Sequence, residues 1–261
     1  MPNNEDVIAF YDTAAADYHL IFRDWLQAQE EQGRLLDRLI RTYIDAAQFP
    51  LSVLDCTCGI GTQAIGLAKQ DGYLIHASDI SPQALARAKR EAEQAGVRIT
   101  FEVADMRTLS KTITEQFDVV IAFDNAIPHL LTDEDLSLAV QELRAKTRAG
   151  GLFLASIRDY DALLEERPQL VSPRLIATES GMRVLFQVWE WQQEEQYRLT
   201  QFIVLPQGSQ WQMRSCTTTY RALRRETLTS ALSQAGFAEI RWLMPAESGF
   251  YQPIVVATAN A

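Results

Sequence analysis

The chain has 261 residues, of which 47% are hydrophobic, and it carries a formal net charge of −10. This size suits one hydrophobic core with an insertion better than two equal domains, and the hydrophobic fraction argues against disorder. The negative charge disfavours nucleic acid and anionic membranes as partners, and no apolar run reaches the roughly 20 residues that span a bilayer.

The first fifty residues are predicted to be helical. Apolar residues recur at helical spacing from Leu35 to Ile44, with charged residues between them, as in an amphipathic helix. Pro50 closes the segment, because a proline cannot continue a helix. We expect residues 1–50 to form a helical segment that covers the functional site.

Strands and helices alternate over the next hundred residues. Ser81 and Pro82 begin one of the helices and Gly96 ends it. The alternation predicts an α/β fold with a doubly wound, mostly parallel sheet, and ligands bind such sheets at the carboxyl ends of the strands. The predicted strands are Leu51–Cys56, Tyr73–Asp79, Ile99–Val103, Phe117–Phe123 and Leu152–Ile157.

The pattern changes from about Ser180 to Tyr220. Runs rich in β-branched and aromatic residues predict an antiparallel β insertion after strand five. A helix that ends at Gly236 and two final strands would complete a seven-stranded sheet. We therefore expect one domain over residues 51–261, with residues 180–220 inserted. The runs of the insertion are Met182–Trp191, Tyr197–Leu205 and Trp211–Tyr220.

A glycine turn follows the first predicted strand, in the segment from Asp55 to Thr62. Gly59 and Gly61 would let the backbone approach a ligand, and the next helix would offer free N–H groups to a carboxylate or phosphate. A turn needed only for packing explains the pair equally well. The run from Gly59 to Ala64 also fits the G-x-G-x-x-A pattern, so a site for NAD stays open as an alternative.

Acidic residues end four predicted strands, at Asp55, Asp79, Asp105 and Asp124. Any one of them could be a solvated turn residue, but four in register are harder to explain in that way. All four would line the same rim of the sheet. There Asp79 is placed to accept both hydroxyls of a ribose, and Asp105 could accept a hydrogen bond from an adenine amino group.

Two further polar residues follow strands four and five. His129 would lie on the same rim, although a lone histidine is more often a structural hydrogen-bonding residue. Arg158 could clamp a carboxylate with two hydrogen bonds, or it could form a surface salt bridge.

Cys56 and Cys58 lack a second pair at metal-binding spacing, so no metal site is predicted. The three cysteines are typical of reduced thiols in a cytoplasmic protein.

Together these residues resemble the motifs of class I S-adenosylmethionine-dependent methyltransferases over residues 51–157. The resemblance implies a Rossmann-like methyltransferase fold, S-adenosyl-L-methionine as cofactor and a small-molecule substrate. It rests on Asp55-x-x-x-Gly59-x-Gly61, Asp79, Asp105-Met106 and Asp124-Asn125. The residues that it assigns to the cofactor are Tyr11, Tyr18, Asp55, Cys56, Gly59, Gly61, Asp79, Ile80, Asp105, Met106, Phe123, Asp124 and His129.

A narrower resemblance concerns the substrate. The runs from Asn125 to Leu130 and from Ile157 to Asp161 resemble two signatures of glycine/sarcosine N-methyltransferases. This implies that Asn125 and Arg158 hold the carboxylate of a small amino acid such as glycine or sarcosine, and that Tyr220 also binds the acceptor. No general base is evident.

Other functions stay open at this point. Another small carboxylate or metabolite could be the acceptor, the chain could be a non-catalytic binding module, and a homo-oligomer is compatible with the sequence. A nucleic-acid methyltransferase is disfavoured, because Asp124-Asn125-Ala126-Ile127 does not match the N/D-P-P-Y/F motif that grips a flipped base.

Overall fold

A seven-stranded sheet forms the centre of the computed structural model, which describes residues 4–179 and 181–260. The expected domain limits at residues 1, 180 and 261 lie outside the described residues. A second, four-stranded sheet follows the fifth strand. The strands are β1 (Leu51–Asp55), β2 (Tyr73–Asp79), β3 (Ile99–Val103), β4 (Phe117–Ala122), β5 (Thr147–Ser156), β6 (Leu170–Thr178), β7 (Gly181–Gln193), β8 (Gln196–Gln207), β9 (Gln210–Arg221), β10 (Phe237–Leu243) and β11 (Ile254–Ala259).

The central sheet has the order β10-β11-β5-β4-β1-β2-β3. Its pairs are parallel except that β11 runs antiparallel to both of its neighbours. The predicted doubly wound, mostly parallel sheet is thus confirmed. The chain order reverses between β1 and β4, and open α/β sheets bind ligands at such a switch point.

Helices cover both faces of this sheet. In the helix from Pro82 to Ala95, the Ser81 hydroxyl accepts from the Ala84 N–H, and Gly96 ends the helix in the left-handed conformation, as the sequence predicts. The helices are α1 (Asn4–Ala14), α2 (Trp25–Tyr43), α3 (Thr62–Ala68), α4 (Pro82–Ala95), α5 (Asp133–Lys146), α6 (Tyr160–Glu166), α7 (Arg225–Gln234) and α8 (Pro245–Ser248). None of the helices in the described ranges is long and apolar enough to cross a membrane.

Helices α2 and α3 touch through their backbones. A Cβ atom added at Gly33 would lie 2.1 Å from the carbonyl oxygen of Gly66, and one added at Gly66 would lie 2.1 Å from that of Gln29. Only glycine permits this approach. The close crossing fixes the position of α3, which begins where the glycine turn after β1 ends.

The insertion is a four-stranded antiparallel sheet with the order β6-β7-β8-β9. The predicted antiparallel insertion is confirmed, but it has one strand more than the three expected runs. The additional strand, β6, contains Pro173 and lies at the sheet edge, where a proline is tolerated because no ladder hydrogen bond is lost.

The N-terminal segment, α1 with the 3-10 turn Tyr18–Ile21, bridges the two sheets. Arg183 of β7 is buried and donates hydrogen bonds to the carbonyl oxygens of Leu20 at 2.8 Å and Phe22 at 2.6 Å. On the opposite side, Arg87 of α4 donates to the carbonyl oxygen of Ala15 at 2.7 Å. The segment therefore lies across the carboxyl ends of the central strands.

Candidate active site

The glycine turn after β1 forms the floor of a cavity at the switch point. Gly59 has a φ of +52°, and a Cβ atom added there would meet no atom within 4 Å, because it would point into open space. The N–H of Gly59 donates to Asp79 Oδ2 at 2.8 Å. This bond ties the turn after β1 to the end of β2.

Asp79 presents a carboxylate to the same cavity while it is only 7% exposed. Its second oxygen accepts from the Ser81 N–H at 2.9 Å. Burial raises the pKa of Asp79 to about 6, although backbone N–H groups that bind the carboxylate oppose the shift. Each carboxylate oxygen keeps a lone pair for a further donor such as a ribose hydroxyl.

Asp105 lines the cavity but shares its carboxylate with a cation. Arg107 Nη2 donates to Asp105 Oδ2 at 2.7 Å, and Arg107 Nη1 donates to Asp135 Oδ1 at 2.6 Å. All three residues line the cavity. Sequence reasoning missed Arg107 and Asp135, because their approach depends on how the start of α5 packs beside the turn after β3.

Two of the residues expected at the cofactor lie behind the cavity wall. Asp55 is 1% exposed, and its Oδ2 finds no hydrogen-bond partner in the described part of the chain. Burial raises the pKa of Asp55 to about 8, so the carboxyl group is protonated at neutral pH. Gly61 faces α3 and α4 instead, since a Cβ atom there would lie 2.8 Å from Ile65 Cδ1.

The N-terminal segment closes the cavity with aromatic side chains. The Tyr11 hydroxyl lies 2.9 Å from His129 Nε2, and the two rings meet edge to face. Burial and the nearby Arg158 lower the pKa of His129 to about 3, so the imidazole is neutral. The expected residues that line this first cavity are Tyr11, Tyr18, Cys56, Gly59, Asp79, Ile80, Asp105, Met106, Phe123, Asp124 and His129.

A second cavity of ≈ 610 Å³ adjoins the first, between the N-terminal segment and the inserted sheet. Tyr18 and Asp124 belong to the walls of both cavities. Arg158 and Tyr220, two residues expected at the acceptor, line the second cavity. The arrangement places two binding spaces side by side at the carboxyl ends of β4 and β5.

Arg158 lies in a cage of aromatic rings. Its guanidinium carbon is 4.9 Å from the Trp189 ring centroid and 5.2 Å from that of Tyr220, and its Nη1 donates to the Tyr197 hydroxyl at 2.7 Å. It has no acidic partner among residues 4–179 and 181–260. A partly buried cation without a counter-ion is suited to an anionic ligand.

Asn125, in contrast, lines neither cavity and is 2% exposed. Its Oδ1 accepts from the Arg158 N–H at 3.0 Å, and its Nδ2 donates to the Tyr160 hydroxyl at 2.9 Å. The side chain therefore holds the backbone at Arg158. The expected direct contact between Asn125 and a substrate does not fit this geometry, because its carboxamide is already engaged on both sides.

Comparison with known proteins agrees with this architecture. A family model described as a methyltransferase domain matches residues 53–151. A glycine/sarcosine N-methyltransferase from Parasynechococcus marenigrum is 34% identical over 142 residues, which are 54% of this chain and 48% of that protein. The chain thus spans about half the length of this curated relative. Residues 53–151, which match the family model, contain the glycine turn, Asp79, Asp105 and Asp124.

The chain has the fold of class I S-adenosylmethionine-dependent methyltransferases, and its residues 53–151 are similar to a methyltransferase domain.

Solved structures share the fold of this chain over almost its whole length. A sugar N-methyltransferase from Streptoalloteichus has a TM-score of 0.74 at 17% identity, with 94% of this chain and 93% of that chain covered. An S-adenosylmethionine-bound amino pentose methyltransferase from Micromonospora echinaspora has a TM-score of 0.71 at 18% identity, with 89% and 92% covered. At such identities the likeness concerns the fold alone.

Two residues that sequence reasoning missed shape the wall shared by the two cavities. Gln63 Nε2 donates to Asp124 at 2.8 Å, and the Tyr251 hydroxyl donates to it at 2.5 Å. Asp124 and Asn125 both have positive φ, 57° and 67°, which is uncommon outside glycine. This turn aims Asp124 at the cavities and Asn125 away from them.

In the described ranges, no group of three or more potential ligands could hold a metal ion.

Proposed function

We propose that this chain transfers a methyl group from S-adenosyl-L-methionine to the amine of a carboxylate-bearing small molecule. The observation that carries the proposal is Arg158, which has no acidic partner within the described ranges and lines the cavity beside the proposed cofactor space. Glycine and sarcosine, after which similar enzymes are named, are the smallest acceptors of this class. Cytoplasmic localisation and self-association stay predictions.

The residues that line the first cavity suit an adenosyl cofactor. Asp79 would accept the ribose hydroxyls, and the open space at Gly59 would admit the cofactor's carboxylate-bearing arm. The aromatic rings of Tyr11 and Tyr18 exclude water above it. The backbone at Asp105 and the guanidinium of Arg107 would border the adenine end of the cofactor.

When bound, the cofactor supplies an electrophilic methyl group, to which the amine lone pair bonds as the S–C electron pair returns to sulfur and a proton leaves the nitrogen for solvent. The residues of this chain align the reactants. Arg158 would orient the acceptor through its carboxylate, and the wall formed by Tyr18 and Asp124 would set the angle at which the nitrogen arrives. Catalysis then rests on positioning and exclusion of water.

The test is a radiolabelled methyl-transfer assay on Arg158→Met. We expect KM for glycine to rise about tenfold or more, because a charge-assisted hydrogen-bonded pair is lost. Amines of similar size that lack a carboxylate should keep their KM. Arg198→Met is the matched control, since Arg198 pairs with Glu190 on the exposed side of the inserted sheet.

Cofactor affinity, measured by calorimetry on the same variant, checks that the first cavity is intact. An unchanged KM for glycine, or an equal rise for amines without a carboxylate, would contradict the assignment of Arg158. A protein that binds the cofactor but methylates no amine would contradict the proposed reaction itself.

A further inference from the structure

The cavity beside the cofactor space is much larger than glycine requires. Its ≈ 610 Å³ lies within the roughly 300–1,000 Å³ range of sites that bury drug-sized ligands. One amino-acid unit spans only about 3.5 Å when extended. A molecule as small as glycine would leave most of this volume filled with water.

The inserted sheet gives the cavity its length. Alternate residues of β9 share one face of the sheet: Tyr220, Thr218, Cys216 and Arg214. At a rise of about 3.4 Å per residue, the row of Tyr220 lies roughly 20 Å from the row of Arg214. Tyr220, Cys216 and Arg214 all line the cavity. The space therefore runs from Arg158, over the Tyr220 ring, along the strands to the far end.

The middle of this surface is polar. Gln187 and Gln201 face each other across β7 and β8, and Gln187 Nε2 donates to Gln201 Oε1 at 2.8 Å. Both line the cavity, next to Cys216 in the same cross-strand row. Carboxamides in this place favour a chain with hydrogen-bonding groups over a purely apolar one.

The far end is basic. Arg174, Leu185, Ile203 and Arg214 lie directly opposite one another across the four strands, so both arginines share the cavity face. Arg214 is paired with Asp17 at 2.6 Å, whereas Arg174 is exposed and forms no ion pair within the described residues. The charged residues of the whole lining are Arg23, Arg158, Arg174, Arg214, Asp17 and Asp124.

We propose that the acceptor is an elongated polar amine that carries a second anionic group, a carboxylate or a phosphate, far from the methylated nitrogen, and that Arg174 binds this group. The proposal rests on the methyl transfer proposed above and specifies its substrate. The excess of arginines over aspartates supports it, since the chain as a whole is strongly negative and the cavity is not.

The experiment compares glycine with three longer acceptors of equal length in the radiolabelled assay. The acceptors are glycine, α-aminosuberate, its phosphonate-ended analogue of equal length, and α-aminooctanoate with a neutral end. We expect at least one of the anion-ended acceptors to exceed both glycine and α-aminooctanoate about tenfold in kcat/KM. The better of the carboxylate-ended and phosphonate-ended compounds identifies the second anion.

Arg174→Gln tests the residue. We expect it to lower kcat/KM about tenfold for the preferred anion-ended acceptor and to leave α-aminooctanoate unchanged. Arg241→Gln, at an exposed position on β10 that lines neither cavity, is the control and should change neither value. If Arg174 had only a structural role, Arg174→Gln would lower kcat/KM equally for both acceptors.

Four outcomes would overturn the inference. Glycine could be the best acceptor, which would leave methyl transfer intact and remove the elongated substrate. α-Aminooctanoate could equal the anion-ended compounds, or Arg174→Gln could affect all acceptors equally, and either result would remove the second anion site. Failure to methylate any of the four acceptors would overturn the proposed reaction together with the inference.

Discussion

The side chain of Asp79 joins the turn after β1 to the residue that caps α4. Its oxygens accept from the N–H groups of Gly59 and Ser81, which fix the carboxylate plane before any ligand arrives. Because burial raises its pKa to about 6, the group gains a proton when the pH falls below that value. A protonated oxygen is a poorer acceptor for ribose hydroxyls.

Cofactor affinity should therefore depend on pH through Asp79. The ionised form binds hydroxyl donors, so we expect full affinity at about pH 7.5 and weaker binding at about pH 5. Asp79→Asn should weaken binding about tenfold or more at about pH 7.5 and should flatten the pH dependence. Calorimetry with S-adenosylhomocysteine measures both effects.

Asp55→Asn is the matched control for this measurement. Asp55 lies one strand away, faces no cavity and is already protonated near neutral pH, so an amide of the same shape should leave affinity unchanged. If Asp55→Asn weakened binding as much as Asp79→Asn, the ribose role assigned to Asp79 would be lost.

At the scale of the elements, the crossing of α2 and α3 has no room for a side chain. We expect Gly33→Ala to force the two helices apart and to lower Tm by roughly 2–12 °C, as overpacking of about 1–3 kcal/mol implies. Leu26→Ala in the same helix removes an exposed side chain and should change Tm little. Differential scanning calorimetry makes the comparison, and equal Tm values for the two variants would refute the close-packing argument.

Local signals in the sequence predict elements that depend on neighbours in the chain. The sequence predicts the helix start at Ser81 and the helix end at Gly96, because capping involves adjacent residues. The sequence does not predict strand β6, because Pro173 and the exposed side chains of β6 break the usual strand pattern. Pairing with β7 alone holds this strand in the sheet. The edge position that tolerates the proline exists only in the folded sheet.

Site residues follow the same distinction. The sequence places Asp79 and Arg158 at strand ends, and the sheet brings both to cavity walls. It cannot show that Asp55 is buried behind its wall, or that two positive φ angles turn Asn125 away from the cavities. Side-chain direction in such turns is set by tertiary contacts. Likewise, the sequence cannot show that Arg174 and Arg214 share one cross-strand row, because this depends on the register of all four strands of the insertion.

For the whole molecule, the bridge between the two sheets depends on Arg183. We expect Arg183→Met to free residues 15–24, because three carbonyl groups of that segment lose their donor. Hydrogen exchange should show faster amide exchange there, and the cofactor should dissociate faster. Arg241→Met is the control, and unchanged exchange in both variants would contradict the bridging role.

The common wall of the two cavities has an energetic consequence. Tyr18 belongs to the N-terminal segment and borders both spaces, so whichever ligand arrives first holds this side chain in place for the other. Thermodynamic reciprocity then requires that each ligand tighten the other by the same factor. After the proposed methyl transfer, departure of either product would leave Tyr18 less restrained, and we expect the remaining product to bind more weakly.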